Sequence, residues 1–247
     1  MASVMLMGLR LLPQLRQGSE EPLDKSTLAG LKDQLDDYLK PFADCFRSKP
    51  SEAHMAAYVR GQLGALGSKA IEPIALEQGI KPRTLQQFIS CHQCEAAMRT
   101  TVRQIVARDH FDPNAIAVID ETSFEKKGKK TVGVQRQWCG HLGKMDNCVQ
   151  TVHLTYVARD FATIVDSDLY LPESWTKDKA LRRMARIPAS VTFRTKLEIA
   201  VELLERTKKD GVSLRWLTAD EYYGHSSAFL ARVEALGLHY VVEVLVL

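Results

Sequence analysis

The spacing of apolar residues changes near the middle of the chain, and this change limits the fold more than any other feature. Before the turn signal FDPN at 111–114, apolar residues recur at helical intervals, for example at Leu28, Leu31 and Leu35. After it, short runs rich in β-branched residues follow one another, as expected for strands. These runs are AIAVID, KTVGVQRQW, CVQTVHLTYVA, SLRWLTAD and HYVVEVLVL. The sequence therefore predicts a helical half followed by a half that contains a sheet.

Two helical segments lie between the last three strand-like runs, and they set the fold class of the second half. They read TKLEIAVELLERTKKDG and SSAFLARVEALG, and each is closed by a glycine. Strands and helices that alternate in this way predict an α/β fold with a mixed sheet and flanking helices. We divide the chain into a variable segment over 1–39, a helical domain over 40–112 and an α/β domain over 113–247.

Composition sets broad limits on the class of protein. The chain has 247 residues, of which 45% are hydrophobic, so it can bury a real core. Its net charge of +3 is common among enzymes and does not by itself indicate nucleic-acid binding. The apolar start is broken by Arg10, too early for a signal core or a membrane span. We therefore expect a soluble cytoplasmic protein that has no membrane partner.

The five cysteines form an odd and irregular set, which predicts reduced thiols rather than a disulfide framework. Cys91 and Cys94 in the stretch CHQC have the spacing of a zinc half-site. However, no second pair stands at ligand spacing, so ordinary helix residues are the better interpretation. His141, His153 and His225 also lack partners at ligand spacing, and we assign them no functional role.

The stretch IEPIALEQGIKPRTLQQFI at 71–89 has the spacing of a helix-turn-helix. Ala75 would let two helices cross closely, Gly79 would permit the turn, and later apolar residues would seat the second helix. Pro82 stands where a helix start tolerates it. An ordinary helical hairpin in a bundle also fits this stretch. In the first interpretation, the side chains offered to a DNA groove are Arg83, Gln86 and Gln87.

Two apolar strands each end in an aspartate, which is the pattern expected for a pair of carboxylates. AIAVID ends at Asp120, and LRWLTAD ends at Asp220. If the two strands are parallel neighbours, the carboxylates emerge side by side, and a hard divalent cation would relieve their repulsion. Magnesium is the expected ion. In the alternative interpretation each aspartate merely caps a turn. Glu121 and Glu221 follow the aspartates, so alternation along a strand would turn them away from the metal, toward a nearby cation.

Positive charge is concentrated in two stretches of the second half. The first, EKKGKK, is predicted to form a hairpin-like turn with Gly128 at its tip, and it carries Lys126, Lys127, Lys129 and Lys130. The second contains Lys177, Lys179, Arg182, Arg183, Arg186, Arg194 and Lys196, opposed locally by Asp178 alone. Both predict contacts with DNA phosphates. A solvated turn that resists edge aggregation is the alternative for the first stretch. For the nearby Trp175, we favour core packing over stacking on a base.

Four ordered motifs carry a family resemblance that covers the chain from about Phe42 onward. They are VIDETSFEKKGKKTVGVQRQWCGHLGKMDNC, DLYLPESWT, FRTKLEIA and TADEYYG. Together they closely resemble the DDE transposases of bacterial insertion sequences. The resemblance implies an RNase H-like catalytic domain, with Asp120 on the first strand and Asp220 on the fourth as catalytic and metal-binding acids. It further implies a DNA-binding helical half and two Mg²⁺ or Mn²⁺ ions that assist phosphoryl transfer.

The same resemblance implies partners and a place in the cell. Transposon ends and target DNA would be the double-stranded substrates, in a bacterial cytoplasm and in association with the nucleoid. A homodimer is left open.

One departure from the family pattern affects the expected activity. Such transposases carry a third acid, a glutamate on a helix after the last strand seen here, and Glu243 stands within a strand instead. We therefore expect a C-terminally truncated transposase that is inactive in strand transfer. A DNA-binding fragment that occupies transposon ends without catalysis is the first alternative. Another RNase H-like nuclease, such as a resolvase, is the second.

Overall fold

The computed structural model describes residues 25–91 and 94–244. The chain divides into two compact units, Met1–Val102 and Arg103–Leu247, so the division falls within a helix rather than at the predicted turn 111–114. The first unit contains, in chain order, α1 (Lys25–Leu39), a 3-10 helix (Lys40–Cys45), α2 (Lys49–Leu63), α3 (Ile71–Glu77), α4 (Pro82–Cys91) and the start of α5 (Glu95–Asp109).

The second unit alternates strands and helices after the end of α5. Its elements are β1 (Ile116–Glu125), β2 (Gln135–Cys139), β3 (Lys144–Ala158), β4 (Phe161–Tyr170), α6 (Glu173–Lys177), α7 (Lys179–Met184), α8 (Lys196–Lys209), β5 (Trp216–Ala219), α9 (Glu221–Gly224), α10 (Ser227–Ala235) and β6 (His239–Val242). In the described part of the chain, no helix is both long and apolar enough to cross a membrane.

Residues 71–89 form two helices, α3 and α4, joined by a short turn, an arrangement that a helix-turn-helix and an ordinary helical hairpin share. Gly79 has a positive φ of 66°, a backbone conformation that glycine adopts without strain, and it lies in the turn between the two helices. Ile74, Ala75 and Leu85 form the buried contact beneath that turn. Of the stretch CHQC, Cys91 ends α4 and Cys94 lies just before α5, outside either helix. The residues between them, and the predicted variable start over 1–24, lie outside the described residues.

The six strands form one mixed sheet in the order β2-β3-β1-β5-β6, with β4 also paired to β3. Strand β1 is antiparallel to β3 and parallel to β5, and β5 is parallel to β6. This mixed sheet with flanking helices fits the RNase H-like fold that the sequence predicts. The strand-like run FATIVDSDLY was missed, and it forms β4, so Asp220 follows the fifth strand rather than the fourth.

The predicted turn between the first two strands is wrong in one respect. β1 continues past Asp120 to Glu125, and both β1 and β2 pair with β3 rather than with each other. The lysine-rich stretch is therefore a connection that passes across β3, not the tip of a β1–β2 hairpin. Local turn chemistry cannot distinguish the two arrangements, since the choice depends on which distant strand offers its edge.

The main core lies where one face of the sheet meets α8 and α10. Ile119, Leu154 and Leu217 contribute from the strands, and Leu203 and Phe229 contribute from the helices. The sequence predicted both helices, and glycines with positive φ follow them, at Gly211 and Gly237. This packing holds β1 and β5 against the same helices. Asp120 lies in β1, and Asp220 directly follows β5.

Candidate active site

Strands β1 and β5 are adjacent and parallel, which is the condition under which the sequence predicts neighbouring carboxylates. This pairing places the two aspartates at the same end of the sheet. The register pairs Ile116 with Trp216 and Val118 with Thr218. Asp120 stands two residues after Val118 in β1. Asp220 stands two residues after Thr218, directly after the end of β5. Paired neighbouring strands are about 4.8 Å apart, and the pairing of β1 with β5 ends two residues before the aspartates.

Alternation along the strands also places the two aspartates on the same face. Ala117 and Ile119 of β1 are buried, as are Leu217 and Ala219 of β5, and these residues face the core. The positions between them face the other way and remain partly or fully exposed. Asp120 and Asp220 continue that second set, and both are exposed.

Backbone N–H groups orient each carboxylate. Asp120 Oδ1 accepts a hydrogen bond of 2.7 Å from the N–H of Glu121. Asp220 Oδ1 accepts from the N–H groups of Tyr222 and Tyr223, at 3.1 and 3.4 Å, and so caps α9. Both interpretations of Asp220, a cap and one of a carboxylate pair, are therefore compatible with its geometry.

The chemistry of these two residues suits a hard divalent cation. Each carboxylate offers a second oxygen, Oδ2, and oxygen donors of this kind are the ligands that Mg²⁺ and Mn²⁺ prefer. Among the residues that the structure describes, no group of three or more His, Cys, Asp or Glu side chains is arranged to hold a metal ion. At this end of the sheet, β1 carries Asp120 and Asp220 directly follows β5.

His153 lies beside Asp120, and sequence reasoning assigned it no role. It is the cross-strand partner of Asp120 on β3, and its Nε2 is 2.7 Å from Thr151 Oγ1. Burial lowers the pKa of His153, while the nearby Asp120 carboxylate raises it, with burial the larger effect. A neutral imidazole therefore borders the aspartate at neutral pH. The register between distant strands creates this neighbour, and no local pattern in the sequence indicates it.

Glu121 faces away from Asp120 and pairs with a cation, as predicted. It receives hydrogen bonds from Lys196 Nζ at the start of α8 and from the Tyr223 hydroxyl in α9. Glu221 is different, because it begins the helix α9 and does not continue a strand. The predicted alternation therefore does not apply to Glu221, and the reason is that the chain turns into a helix directly after Asp220.

The side chains predicted to contact DNA differ in how exposed they are to solvent. On α4, Arg83, Gln86 and Gln87 are all exposed, while Leu85 between them is buried. In the connection after β1, Lys127, Lys129 and Lys130 are exposed and Lys126 is half-buried. The N–H of Lys126 extends the pairing with β3 by donating to Asn147 O at 2.9 Å.

Some side chains of the second basic stretch are already bound within the protein, which the sequence does not suggest. Arg182 donates to the carbonyls of Thr176, Val191 and Pro188, so its guanidinium holds the segment around α7 together. Arg183 and Arg186 are exposed. Trp175 is only 3% exposed and donates from Nε1 to Val134 O at 2.9 Å, which confirms the core-packing interpretation.

Acids that are distant in sequence neutralise other members of the same stretch. Arg194 pairs with Asp168 and Glu202, and Lys196 pairs with Glu121. The local count along the sequence, in which Asp178 alone opposes these cations, therefore leaves out the acids that face them in the folded chain. Only folding brings strands and helices with acidic residues to this stretch, so a count of neighbouring residues could not find them.

The family of this chain follows from comparison with known proteins. Residues 41–245 match the DDE superfamily endonuclease family. That match covers most of the chain, so the protein belongs to the DDE superfamily endonucleases. A stretch of 216 residues is also 28% identical to a protein from Microchaete diplosiphon described as "Probable transposase for insertion sequence element IS701". The resemblance to DDE transposases of insertion sequences is thereby confirmed.

The matched stretch covers a larger share of this chain than of the relative. It covers 85% of the present chain but 53% of the relative, so the chain spans about half the length of the curated relative that it matches.

Proposed function

We propose that Asp120 and Asp220 are the two aspartates that hold a divalent metal ion for DNA cleavage and strand transfer in the whole transposase. The observation that carries this proposal is the parallel pairing of β1 with β5, which brings the two residues to one end and one face of the sheet. When bound there, Mg²⁺ or Mn²⁺ would activate water and offset charge on the reacting phosphate. The aspartates would contribute their Oδ2 atoms, while backbone N–H groups hold Oδ1.

Double-stranded DNA at transposon ends is the proposed substrate, and exposed basic and polar groups support it. Arg83, Gln86 and Gln87 on α4 have the exposure and spacing that base recognition in a groove requires. The lysines of 126–130 and the exposed Arg183 and Arg186 would contact phosphates. Arg182 would act indirectly in this proposal, since its backbone contacts shape the segment that presents its neighbours.

For the present chain alone, we propose metal and DNA binding without strand transfer. The chemistry of two metal ions needs more ligands than one pair of aspartates supplies, and the described residues contain no cluster of three metal-ligating side chains. A chain of this kind could occupy transposon ends as a binding fragment.

The test uses the 247-residue chain with Mn²⁺, followed by electron paramagnetic resonance, and DNA that carries the element's ends. Asp120→Asn and Asp220→Asn should each remove most Mn²⁺ binding, while Asp146→Asn, an aspartate elsewhere in the same sheet, should leave it unchanged. Unchanged binding in both site variants would reject the metal site. DNA cleavage by the parent chain that disappears in Asp120→Asn would reject the proposed inactivity.

A further inference from the structure

The backbone pairing between β1 and β5 ends before it reaches the two aspartates. Its last paired residues are Val118 and Thr218, two positions short of Asp120 and Asp220. Beyond that point β1 remains paired to β3 on its other side, and Ala219 remains paired to Val242 of β6. The hydrogen-bonded ladder between β1 and β5 therefore stops short of Asp120 and Asp220, and it does not fix the distance between them.

A side-chain contact bridges the two strand ends at this level. The Tyr223 hydroxyl donates to Glu121 Oε1 at 3.2 Å, which joins the residue after Asp120 to the helix that follows Asp220. Tyr223 is fully buried, and burial together with the Glu121 carboxylate raises the pKa of its hydroxyl. The hydroxyl therefore stays protonated and remains a donor at neutral pH.

Glu121 is held on its other side by a lysine from α8. Lys196 Nζ donates to Glu121 Oε2, and the two side chains are only 17% and 20% exposed. The same ammonium group lies 5.5 Å from the ring centroids of both Tyr170 and Tyr222, a distance at which cation–π attraction operates. The carboxylate of Glu121 is thus fixed between two donors, and it cannot swing away from Tyr223 without losing its ion pair.

Movement of Tyr223 is coupled to Asp220 because both belong to the same short turn. Asp220 Oδ1 accepts from the Tyr223 N–H, and α9 spans only four residues. On its far side α9 lies against the backbone after β6, since a Cβ at Gly224 would stand 2.1 Å from Glu243 O. With one side of the turn against Glu243, the Tyr223–Glu121 contact is the side-chain hydrogen bond that the structure describes between this turn and β1.

We propose that Glu121 and Tyr223 are positioning residues that set the spacing between Asp120 and Asp220, with Lys196 holding Glu121 in place. This inference rests on the proposed metal site, and it adds residues that do not touch the metal. Groups that orient metal ligands without binding the ion commonly change metal affinity by about 10- to 100-fold when they are replaced.

The test compares Tyr223→Phe with Tyr156→Phe in the full chain by Mn²⁺ titration. Tyr156 is also buried, at 1% exposure, and its hydroxyl donates to His110 O at 2.6 Å, so its loss should cost similar stability away from the aspartates. Tyr223→Phe should weaken Mn²⁺ binding by about 10-fold, whereas Tyr156→Phe should leave it unchanged. Equal effects of the two variants would overturn the positioning role.

A double-mutant cycle adds a readout that a general loss of stability would not produce. Glu121→Ala should weaken Mn²⁺ binding about as much as Tyr223→Phe, and the double variant should be no weaker than either single one. Additive losses would show that the two residues act separately, and they would reject the proposal that Tyr223 and Glu121 act together through their hydrogen bond. If Asp120→Asn and Asp220→Asn reduce Mn²⁺ binding but Tyr223→Phe does not, this inference fails alone. If the parent chain binds no Mn²⁺, the proposed metal site and this inference both fail.

Discussion

At the scale of single residues, the most demanding arrangement is a buried carboxylate shared by two arginines. Asp166 on β4 is fully buried, and its Oδ2 lies 2.8 Å from Arg103 Nη1 and 3.0 Å from Arg206 Nε. Arg103 also pairs with Asp210, which follows α8, at 2.7 Å. A buried charge is tolerated when it is paired and hydrogen-bonded, so these contacts hold the end of α5 to β4 and α8.

We expect Arg103→Met to destabilise the protein by about 3 kcal/mol, because it leaves Asp166 with one cation and removes the partner of Asp210. Urea denaturation at pH 7 would measure the loss. Arg183→Met replaces an exposed arginine and should change the free energy of unfolding by less than about 0.5 kcal/mol. Similar values for the two variants would contradict the view that burial makes the Arg103 contacts important.

At the scale of elements, α8 has the most complete start of any helix described for the second unit. The Thr195 side chain accepts from the Glu198 N–H at 3.1 Å, and Glu198 Oε2 accepts from the Thr195 N–H at 2.7 Å. Hydrogen bonds from Thr195 lower the pKa of Glu198 below the ordinary value of 4.5. This capping box fixes where α8 begins, and Lys196, the partner of Glu121, is its first residue.

We expect Thr195→Ala to cost about 1 kcal/mol of stability at pH 7. The lowered pKa of Glu198 means that its contribution is present above pH 4.5 and is lost as the pH falls through the folded-state value. The cost of Thr195→Ala should therefore shrink below pH 4.5. Ser226→Ala removes the cap of α10, which has no acidic partner at the third position, so its cost should not depend on pH in this range. Parallel pH profiles would contradict this account.

At the scale of the whole molecule, several exposed cations are already paired with an acid. Lys144 pairs with Asp146 at 3.4 Å, and Arg232 pairs with Glu205 at 2.6 Å. Lys129 and Lys130 lie exposed in the connection between β1 and β2. A net charge of +3 is too small to attract DNA on its own, so local concentrations of cations should decide where phosphates bind.

We expect the double variant Lys129→Ala/Lys130→Ala to reduce the salt dependence of DNA binding. The slope of log K against log salt should fall in magnitude by about 2, since about 0.9 is lost for each phosphate contact. Lys144→Ala/Arg232→Ala removes the same formal charge from ion-paired sites outside the predicted DNA-contacting stretches and should leave the slope almost unchanged. Fluorescence anisotropy over a series of salt concentrations would measure both slopes, and equal slopes would contradict phosphate contacts by 126–130.

The sequence by itself determined the features that local spacing controls. Apolar periodicity and glycines predicted α8 and α10, the turn at Gly79, and the strands that carry Asp120 and lead to Asp220, because these depend on residues a few positions apart. Four motifs were enough to indicate the family.

Only the tertiary structure decided which distant residues meet. It placed His153 beside Asp120, paired Glu121 with Lys196 and Tyr223, and neutralised Arg194 with acids from β4 and α8. It also showed that β2 pairs with β3 and not with β1. Strand register and side-chain partners arise from contacts between segments far apart along the chain, and these depend on how the whole sheet and its helices bury their apolar faces together.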